Sequence, residues 1–367
     1  MNIPSRLRGL VTGPQARRIV APEIVFLSDG GQSPDAVLER LIAFIDGART
    51  SLDIAIYDAH LDDGAGARVV AALDAAEGRG VQVRAVYNDE HRRPIPVPPP
   101  PTGPSTLARL AAAVPSTAIP GIPDLMHNKY MVRDRDTVWT GSTNWTIDSW
   151  TGMENVIVVV PSADLATAFT EDFEQLWTRR RVEGSGGFDD DPASIAFDGE
   201  PLTVRALFAP GRGRAMGHLV ARRIAGARTR LRICSPVLTS GPILSTLAEV
   251  LDDNRTDVLV TVDGPQMREV LAQWDRDGRA AWKRPLFERV RASGRLALKP
   301  SRPYQAGPPH DYMHAKVVVC DDIALTGSYN LSHSGEMNAE NLLEVTSNPF
   351  SDACAGFCER VHARYAG

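Results

Sequence analysis

The sequence predicts an α/β fold made of two similar halves, and three observations support this prediction. The chain has 367 residues, 43% of them hydrophobic and 23% charged, which fits a globular protein with room for two cores. Strand patterns alternate with amphipathic helix patterns, an order typical of a mixed or parallel sheet with helices packed outside. The tetrapeptide Gly-Ala-Arg-Thr occurs at residues 47–50 and again at 226–229, at the same place in a repeated layout. An internal repeat of this size indicates two halves with one fold.

The predicted elements follow the same order in both halves. A strand ending in Phe26 or Phe208 leads to a glycine-containing turn, an amphipathic helix, the Gly-Ala-Arg-Thr turn and a second strand, LDIAIY or LRICSPV. A helix (ARVVAALDAA or ILSTLAEVL) and a strand (VQVRAVY or DVLVTV) come next. The halves then differ, because residues 92–104 are rich in proline and predict a stiff extended loop, whereas residues 265–293 predict a helix. We expect both insertions at the rim of a cleft.

The segment between the halves has the composition of a linker. Residues 183–192 read EGSGGFDDDP, and glycine, serine and acidic residues favour a solvated connection over a cation site. The predicted organisation is therefore an N-terminal half at residues 1–182, a linker at 183–197 and a C-terminal half at 198–367.

Composition also predicts the cellular setting. The first 20 residues hold no apolar stretch of the ~7–15 residues that a secretory signal requires. No apolar run approaches the ~18 residues of a membrane span, so we expect no transmembrane segment. The four cysteines lack the spacing of a zinc site or a disulfide scaffold, which fits a cytoplasmic protein. The net charge of −5 argues against a generally basic coat but leaves room for a local basic cleft.

Two segments contain the same polar residues in the same order. They are HNKYMVRDRDTVWTGSTN at 127–144 and HAKVVVCDDIALTGSYN at 314–330. Alternate side chains of a strand face the same side, so His127 and Lys129 face one way, as do His314 and Lys316. An imidazole beside an ammonium on an inward face needs an anion or water to balance it. The repeat therefore indicates an anion site.

The turn after each second strand, Gly-Ser-x-Asn, supplies neutral hydrogen-bond donors. Ser142 and Asn144 in the first half, with Ser328 and Asn330 in the second, offer hydroxyl, amide and backbone N–H groups. Together with the lysines they match the needs of a phosphate group. A repeat kept only for packing would repeat apolar positions instead.

Acidic residues complete the repeated unit. Glu154 and Glu340 each follow the Asn by ten residues and are candidates for a carboxylate that fixes a histidine tautomer. Asp134 and Asp321, five residues after each lysine, lie at the far ends of the strands, where we expect a structural role in orienting the turn.

These motifs resemble those of the phospholipase D superfamily, whose HxKx4D pattern matches HNKYMVRD and HAKVVVCD. The resemblance covers nearly the whole chain. It implies a bilobal, pseudo-twofold fold with two mixed β-sheets flanked by helices, in which the two motifs meet between the halves and form one site. Both catalytic halves lie in one chain, so the site would not require dimerisation.

The resemblance also implies a mechanism. A neutral imidazole attacks phosphorus in line and gives a phosphohistidine, while the other histidine protonates the leaving oxygen and then activates water, without metal or cofactor. By similarity His127 is the nucleophile and His314 the acid, and the reverse order stays open. The implied catalytic residues are His127, Lys129, Asn144, Glu154, His314, Lys316, Asn330 and Glu340. The implied phosphate ligands are Lys129, Ser142, Asn144, Lys316, Ser328 and Asn330.

One departure from strict repetition is visible. Six residues separate Asp134 from Gly141, but five separate Asp321 from Gly327. We expect this deletion to shift Ser328 slightly without removing a catalytic group.

The residues after each Asn resemble the nuclease branch of the superfamily, so DNA or RNA is the predicted substrate. Basic residues that could follow a phosphate backbone are Arg92, Arg93, Lys283, Arg284, Lys299 and Arg302, and Tyr304 or Trp145 could stack on bases. The alternative is a phospholipase D or phosphatidyltransferase acting on phospholipid or another small phosphodiester. Its apolar rim would come from Ile95, Val97 and residues 115–126. A third reading, an inactive scaffold for a phosphorylated partner, conflicts with catalytic positions that are filled in both copies.

Overall fold

A computed structural model of the chain describes residues 21–89, 106–188, 191–276, 278–302 and 309–366. All of the proline-rich segment predicted to form a rim loop, residues 92–104, lies outside these ranges, as do Asp189, Asp190 and Tyr304. Within the described ranges, the helices are all too short or too polar to cross a membrane.

The first half contributes one seven-stranded sheet and a separate two-stranded pair. Its strands are β1 (Glu23–Leu27), β2 (Ser51–Ile56), β3 (Ala59–His60), β4 (Gln82–Asn88), β5 (Ser116–Ile119), β6 (Lys129–Arg133), β7 (Thr137–Gly141), β8 (Trp145–Thr146) and β9 (Asn155–Pro161). Its helices are α1 (Pro34–Asp46), α2 (Asp63–Gly78), α3 (Thr106–Ala113), α4 (Ile147–Thr151) and α5 (Ala163–Arg179). The large sheet has the order β1-β9-β7-β6-β2-β4-β5, and β3 pairs with β8.

The second half contributes an eight-stranded sheet. Its strands are β10 (Ala193–Phe197), β11 (Glu200–Ala209), β12 (Arg230–Ser235), β13 (Asp257–Asp263), β14 (Leu296–Lys299), β15 (Val317–Cys320), β16 (Ile323–Gly327) and β17 (Glu340–Thr346). Its helices are α6 (Gly213–Gly226), α7 (Gly241–Asp253), α8 (Gly264–Arg276), α9 (Lys283–Ala292), α10 (His333–Met337) and α11 (Asn348–Tyr365). The order is β10-β11-β17-β16-β15-β12-β13-β14.

The two large sheets share one topology. Apart from the edge strand β10, each strand of the second sheet occupies the place of a strand in the first. Both sheets are mixed, since β2-β4-β5 and β12-β13-β14 run parallel while the other neighbours run antiparallel. The predicted fold class, a pseudo-twofold α/β architecture with two mixed sheets, is confirmed.

Helix boundaries follow from local chemistry, as α1 illustrates. The Ser33 side chain accepts a hydrogen bond from the backbone N–H of Ala36, and Pro34 stands at the first helical position, where no N–H is needed. Five residues at helical spacing are buried: Val37, Leu38, Leu41, Phe44 and Ile45. The polar face remains on the outside of the first sheet.

One apolar core is common to both halves. Phe169 of α5 contacts Phe208 of the second sheet with ring centroids 5.0 Å apart, and Phe26 stacks on Phe357 of α11 at 4.7 Å. Cys354 and Cys358 are buried in the same cluster as free thiols. Each half also has an outer core between its sheet and its other helices. The shared core places the carboxyl-side loops of both sheets against each other.

Two predicted boundaries are wrong. The linker predicted at 183–197 ends early, because residues 193–197 form β10, which turns into β11 at Asp198 and Gly199. Their φ angles of 50° and 80° are those of a two-residue hairpin turn, for which Asp-Gly is a strong signal. The single helix predicted at 265–293 is two helices, α8 and α9, with Gly278 between them and Pro285 in the first turn of α9. The division into two halves at this segment remains our proposal.

Asp134 and Asp321 tie the end of a strand to the Gly-Ala-Arg-Thr turn. Asp321 accepts hydrogen bonds from the backbone N–H groups of residues 228–230 and from the Thr229 hydroxyl. Asp134 accepts the same set from residues 49–51 and Thr50. Partial burial pushes the pKa of Asp321 up, but these hydrogen bonds outweigh it and lower the pKa to about 2. Both aspartates sit outside the site and have a structural role.

We expect Asp321→Asn to lower the free energy of unfolding by about 1–3 kcal/mol, because an amide cannot accept all of these hydrogen bonds. The folded pKa lies below the ordinary value of 3.8, so this stabilisation is present above about pH 4 and is lost as the pH falls through about 2. Urea unfolding at several pH values checks it, with Asp322→Asn, at the exposed neighbouring position, as the control. A difference between the two variants that persists unchanged at pH 2 would contradict the assignment.

Candidate active site between the halves

His127 lies just before β6 and is held by both halves. Asn88, at the end of β4, accepts the backbone N–H of Met126 at 3.0 Å. The backbone N–H of His127 donates to the carbonyl of Ala339 in the second half at 2.9 Å. The Tyr57 ring packs against the imidazole at 4.6 Å between centroids. These contacts fix where the imidazole stands.

His314 is held in the corresponding way. Asp263, at the end of β13, accepts the N–H of Met313 at 2.9 Å, and the N–H of His314 donates to the carbonyl of Glu154 at 3.2 Å. Each histidine is therefore positioned by its own sheet and by the strand entrance of the other half. The imidazoles are near enough for His127 to lower the pKa of His314. The structure thus brings the two motifs to one place.

The acceptors at the two histidines differ. Nδ1 of His127 lies 2.9 Å from Oε2 and 2.8 Å from Oε1 of Glu340. Nδ1 of His314 lies 2.9 Å from Oδ1 of Asn155. The prediction that Glu154 contacts a histidine is wrong. Its two carboxylate oxygens accept hydrogen bonds from the Lys299 ammonium at 2.6 Å and from the Tyr365 hydroxyl at 2.5 Å. Asn155 is a site residue that sequence analysis missed.

A connection that is one residue longer in the first half, between β7 and β9, than in the second, between β16 and β17, explains this exchange. Gly141 faces Ile157 across β7 and β9, whereas Gly327 faces Leu342 across β16 and β17. When the matching strands β9 and β17 are compared, Asn155 stands where the second half has Glu340. Glu154 stands where the second half has Ala339. Neighbouring side chains at a strand point to opposite sides, so Glu154 faces away from His314. Equal spacing in the sequence suggested the wrong pair.

The expected shift at Ser328 is absorbed elsewhere. The β6–β7 hairpin turns through residues 134–136 and the β15–β16 hairpin through residues 321–322, so the missing residue lies in the turn. Ser142 and Ser328 keep matching positions after Gly141 and Gly327, whose φ angles are 140° and 146°. A Cβ on Gly327 would lie 2.4 Å from the carbonyl oxygen of Asn341. Only glycine fits here.

Both serine hydroxyls belong to the hydrogen-bond network behind the site. Ser142 donates to Asn155 Oδ1 at 2.7 Å and accepts the N–H of Val156 at 2.9 Å. Ser328 accepts the N–H of Asn341 at 3.0 Å and interacts with the Glu340 carboxylate. These contacts correct the expectation that the hydroxyls bind phosphate, since they are used to position Asn155 and Glu340.

Lys129 and Lys316 are buried beside the histidines. Lys129 Nζ donates to the carbonyl of His127 at 2.5 Å and stands 4.7 Å from the Tyr57 ring centroid. Lys316 Nζ donates to the carbonyl of His314 at 2.6 Å. Burial lowers the pKa of Lys129 to about 7, and burial and Lys129 lower the pKa of Lys316. Each lysine thus disfavours the protonation of the other, and an anion bound beside them would favour the protonated form of both.

The same buried environment shifts the pKa values of the two histidines and of Glu340. Burial, followed by the charges of the two lysines, lowers the pKa of His127 and of His314 well below 6.5. Burial raises the pKa of Glu340 to about 8. Both imidazoles therefore favour the neutral form, which is the form that a nucleophile needs.

Asn144 and Asn330 end the two Gly-Ser-x-Asn turns at matching positions of the repeat. The side-chain oxygen of each is buried, and neither it nor the hydroxyl oxygen of Thr143 has a hydrogen-bond partner among the described residues. Buried polar atoms without partners are rare in folded proteins and are typical of places where a ligand or water completes the set. Contact of the two amides with a phosphate group stays a prediction.

The described residues among those predicted to follow a nucleic-acid backbone each have a partner within the protein. The Lys299 side chain is 2% exposed and is bound to Glu154, and Trp145 is 4% exposed. These two predictions are wrong, because neither side chain can meet a polymer. Lys283 donates to the carbonyl of Thr239, and Arg284 pairs with Asp275. Arg302 stands 3.7 Å from Asp311.

No described group of three or more His, Cys, Asp or Glu side chains could hold a metal ion. Metal independence itself stays a prediction.

The two large sheets share one topology, and a His-x-Lys strand from each reaches the junction between them. This arrangement defines a phospholipase D-type protein. The family described as "Cardiolipin synthase, PLD-like domain" matches residues 41–177 and 220–361. The chain belongs to this family of the phospholipase D superfamily.

Individual relatives are more distant. The chain is similar to the mitochondrial cardiolipin hydrolase of Xenopus laevis, with 25% identity over 143 residues, 39% of this chain and 62% of that protein's length. Phosphatidylserine synthase from Haemophilus influenzae has a similar structure, with a TM-score of 0.65 and 15% identity over 93% of this chain and 86% of that one, a likeness of fold. The structure of Nuc from Salmonella typhimurium, a phospholipase D family member, aligns with 43% of this chain and with 95% of its own chain. The TM-score is 0.34 and the identity is 25%.

We expect Gly327→Ala to destabilise the protein by ~1–3 kcal/mol more than a glycine change that meets no neighbour, because the new Cβ would collide with the Asn341 carbonyl. Gly294→Ala is the control, since Gly294 also has a positive φ, 70°, but nothing lies within 4 Å of its Cβ position. The φ of Gly327, 146°, lies in a region that glycine alone adopts readily, so the excess loss in thermal unfolding reports this backbone strain and the collision together. Equal losses in the two variants would show that neither the backbone angle nor the close approach at Gly327 requires glycine.

Proposed function

We propose that the protein is a phosphodiesterase that works through a phosphohistidine intermediate. One observation carries this proposal: a histidine and a lysine from each half converge, and each histidine is held by a carbonyl of the other half. A phosphodiester carries one negative charge, which would offset the two neighbouring ammonium groups. Such a site suits a small anionic centre better than a metal or a neutral ligand.

The chemistry divides between the two imidazoles. One neutral imidazole attacks phosphorus through Nε2, a nitrogen–phosphorus bond forms, and the phosphorus–oxygen bond to the leaving group breaks. The other imidazole, protonated when the anion binds, gives its proton to the leaving oxygen and then takes one from water, which cleaves the nitrogen–phosphorus bond. Lys129 and Lys316 stabilise the non-bridging oxygens, and the amides of Asn144 and Asn330 contact the same group.

Two substrate classes fit this reaction. Nucleic acid is the first, supported by the residues that follow Asn144 and Asn330 and weakened by the burial of Lys299 and Trp145. Phospholipid is the second, and two observations favour it: the family description names cardiolipin synthase, and a curated relative is named a cardiolipin hydrolase. Partly exposed Ile122 and Leu125, near His127, offer apolar surface for an acyl chain.

We expect the purified protein to hydrolyse bis(p-nitrophenyl) phosphate in excess EDTA, because the proposed groups need no metal. Lys129→Met should lower kcat/KM by ~10²-fold or more, since one transition-state cation is lost. The absorbance of released p-nitrophenolate measures the reaction, and circular dichroism checks that the variant is folded. Loss of activity in EDTA with recovery on adding magnesium would contradict the proposal.

A substrate panel separates the two classes. Single- and double-stranded DNA, RNA, cardiolipin vesicles and short-chain phosphatidylcholine are incubated with the protein at rising salt. If nucleic acid is the substrate, cleavage falls steeply with salt through counterion release. If phospholipid is the substrate, short-chain lipid turnover changes little with salt while the nucleic acids stay intact.

A further inference from the structure

The segment that leads into β9, residues 152–155, holds His314 through two contacts. The backbone carbonyl of Glu154 accepts the N–H of His314 at 3.2 Å, and Oδ1 of Asn155 lies 2.9 Å from Nδ1 of the imidazole. Any displacement of this short segment therefore displaces the imidazole. The groups that fix the segment decide where His314 stands.

Four consecutive backbone carbonyls, those of residues 149–152, precede the first residue of β9, and each accepts a hydrogen bond. Three of the donors belong to the first half: Nδ2 of Asn155, Nε2 of Gln32 and the N–H of Gly30. The fourth carbonyl, that of Gly152, accepts from Nζ of Lys299 at 2.9 Å. Lys299 ends strand β14, so the second half holds the last of these carbonyls.

The same ammonium group forms a buried ion pair. Nζ of Lys299 lies 2.6 Å from Oε2 of Glu154, and the two side chains are 2% and 1% exposed. The hydroxyl of Tyr365, the last residue of α11, donates to Oε1 of Glu154 at 2.5 Å. A carboxylate oxygen of Asp29, in the first half, stands 3.5 Å from the same Nζ. Lys299, Glu154 and Tyr365 together form a clamp that joins the two halves at the start of β9.

The counterpart of this clamp on the other side of the pseudo-twofold axis is apolar. At the end of the first sheet, Ile119 occupies the place that Lys299 has in the second. At the start of β17, Ala339 occupies the place of Glu154. Packing at these positions therefore does not require a charge, and a buried ion pair seldom adds net stability over apolar residues of similar volume. Stability alone does not explain the clamp.

The start of β17 is held by an amide instead. The side-chain oxygen of Asn338 accepts the N–H of Leu125 at 2.9 Å, and the N–H of Ala339 donates to the Leu125 carbonyl at 2.8 Å. Met153, with only a weak acceptor, occupies the place of Asn338 before β9. The two strand starts are thus fastened by different groups, an amide near His127 and an ammonium near His314.

We propose that Lys299, acting with Glu154 and Tyr365, is a positioning residue of the active site that fixes the start of β9 and with it the place of His314. The catalytic part of this inference rests on the proposed phosphodiesterase function. A hydrogen bond from a charged donor is shorter and stronger than a neutral one, so the ammonium holds the segment firmly. Because a displacement of about 1 Å costs up to ~10²-fold in rate, this control bears on turnover.

Backbone amide exchange separates positioning from general stability. The chain has eight histidines, so isotope labelling of histidine alone gives few amide signals, and His127→Gln and His314→Gln assign the two that matter. Lys299→Met should raise the ratio of the His314 exchange rate to the His127 exchange rate by ~10-fold or more, because a general loss of stability cancels in this ratio. Asn338→Leu, at the other strand start, is the matched variant and should lower the ratio.

Turnover of bis(p-nitrophenyl) phosphate gives the second measurement. Both histidines take part in the proposed reaction, so Lys299→Met should lower kcat by ~10–10²-fold and leave KM within about threefold, since Lys129 and Lys316 still meet the phosphate group. Tyr365→Phe removes one hydrogen bond from Glu154 and should cause a smaller loss of kcat with the same rise in the exchange ratio. It is the variant that decides if Lys299→Met does not fold.

A double variant that copies the apolar side tests whether the charge itself is needed. Lys299→Ile/Glu154→Ala leaves no member of the ion pair buried without its partner, so thermal stability should return close to that of the wild-type protein. The Gly152 carbonyl then lacks its donor from the second half. The raised exchange ratio and the lowered kcat should therefore remain.

The two measurements fail in different ways. An exchange ratio that Lys299→Met leaves unchanged, or a double variant that recovers kcat together with stability, overturns the inference while the phosphodiesterase function stands. A folded Lys299→Met variant with the kcat of the wild-type protein overturns it as well. If the wild-type protein turns over no diester, the proposed function is overturned, and the exchange ratio still decides whether Lys299 holds His314.

Discussion

The site depends on a reciprocal pair of backbone hydrogen bonds between the halves. The N–H of His127 donates to the carbonyl of Ala339, and the N–H of His314 donates to the carbonyl of Glu154. Each histidine thus stands at the entrance of a strand in the opposite sheet, where that strand also supplies the acceptor for its Nδ1. Neither half alone holds a complete partner set. The apolar core that α5 and α11 share with both sheets keeps these strand entrances together.

Burial sets the electrostatics of the site. Two lysines, two histidines and a glutamate lie together in a region with little solvent, and such a group is costly unless an opposite charge is near. The protein responds by shifting pKa values: those of the lysines and histidines fall, and that of Glu340 rises to about 8. A bound anion would reverse part of these shifts. The site therefore favours a negatively charged group.

The pseudo-symmetry is strict in the sheets but not in the connections. Seven strands match in order, and β9 pairs with β7 in the same register as β17 with β16. The connection from Gly141 to β9 is one residue longer than that from Gly327 to β17. Because successive side chains of a strand point to opposite faces, the extra residue places Asn155 where the second half has Glu340 and sends Glu154 to Lys299. The different partners of the two histidines have this geometric origin.

The sequence by itself determined the α/β class, the duplication, the two His-x-Lys strands and the glycines that follow, because these depend on local periodicity and on one repeated order of residues. The Asp-Gly turn before β11 is also a local signal of the sequence. Only the tertiary structure decided that Asn155 meets His314 and that Lys299 is buried on Glu154, because register and cross-half contacts depend on how distant strands align. Spacing along a chain does not report the side of a sheet on which a side chain emerges once a turn adds or removes a residue.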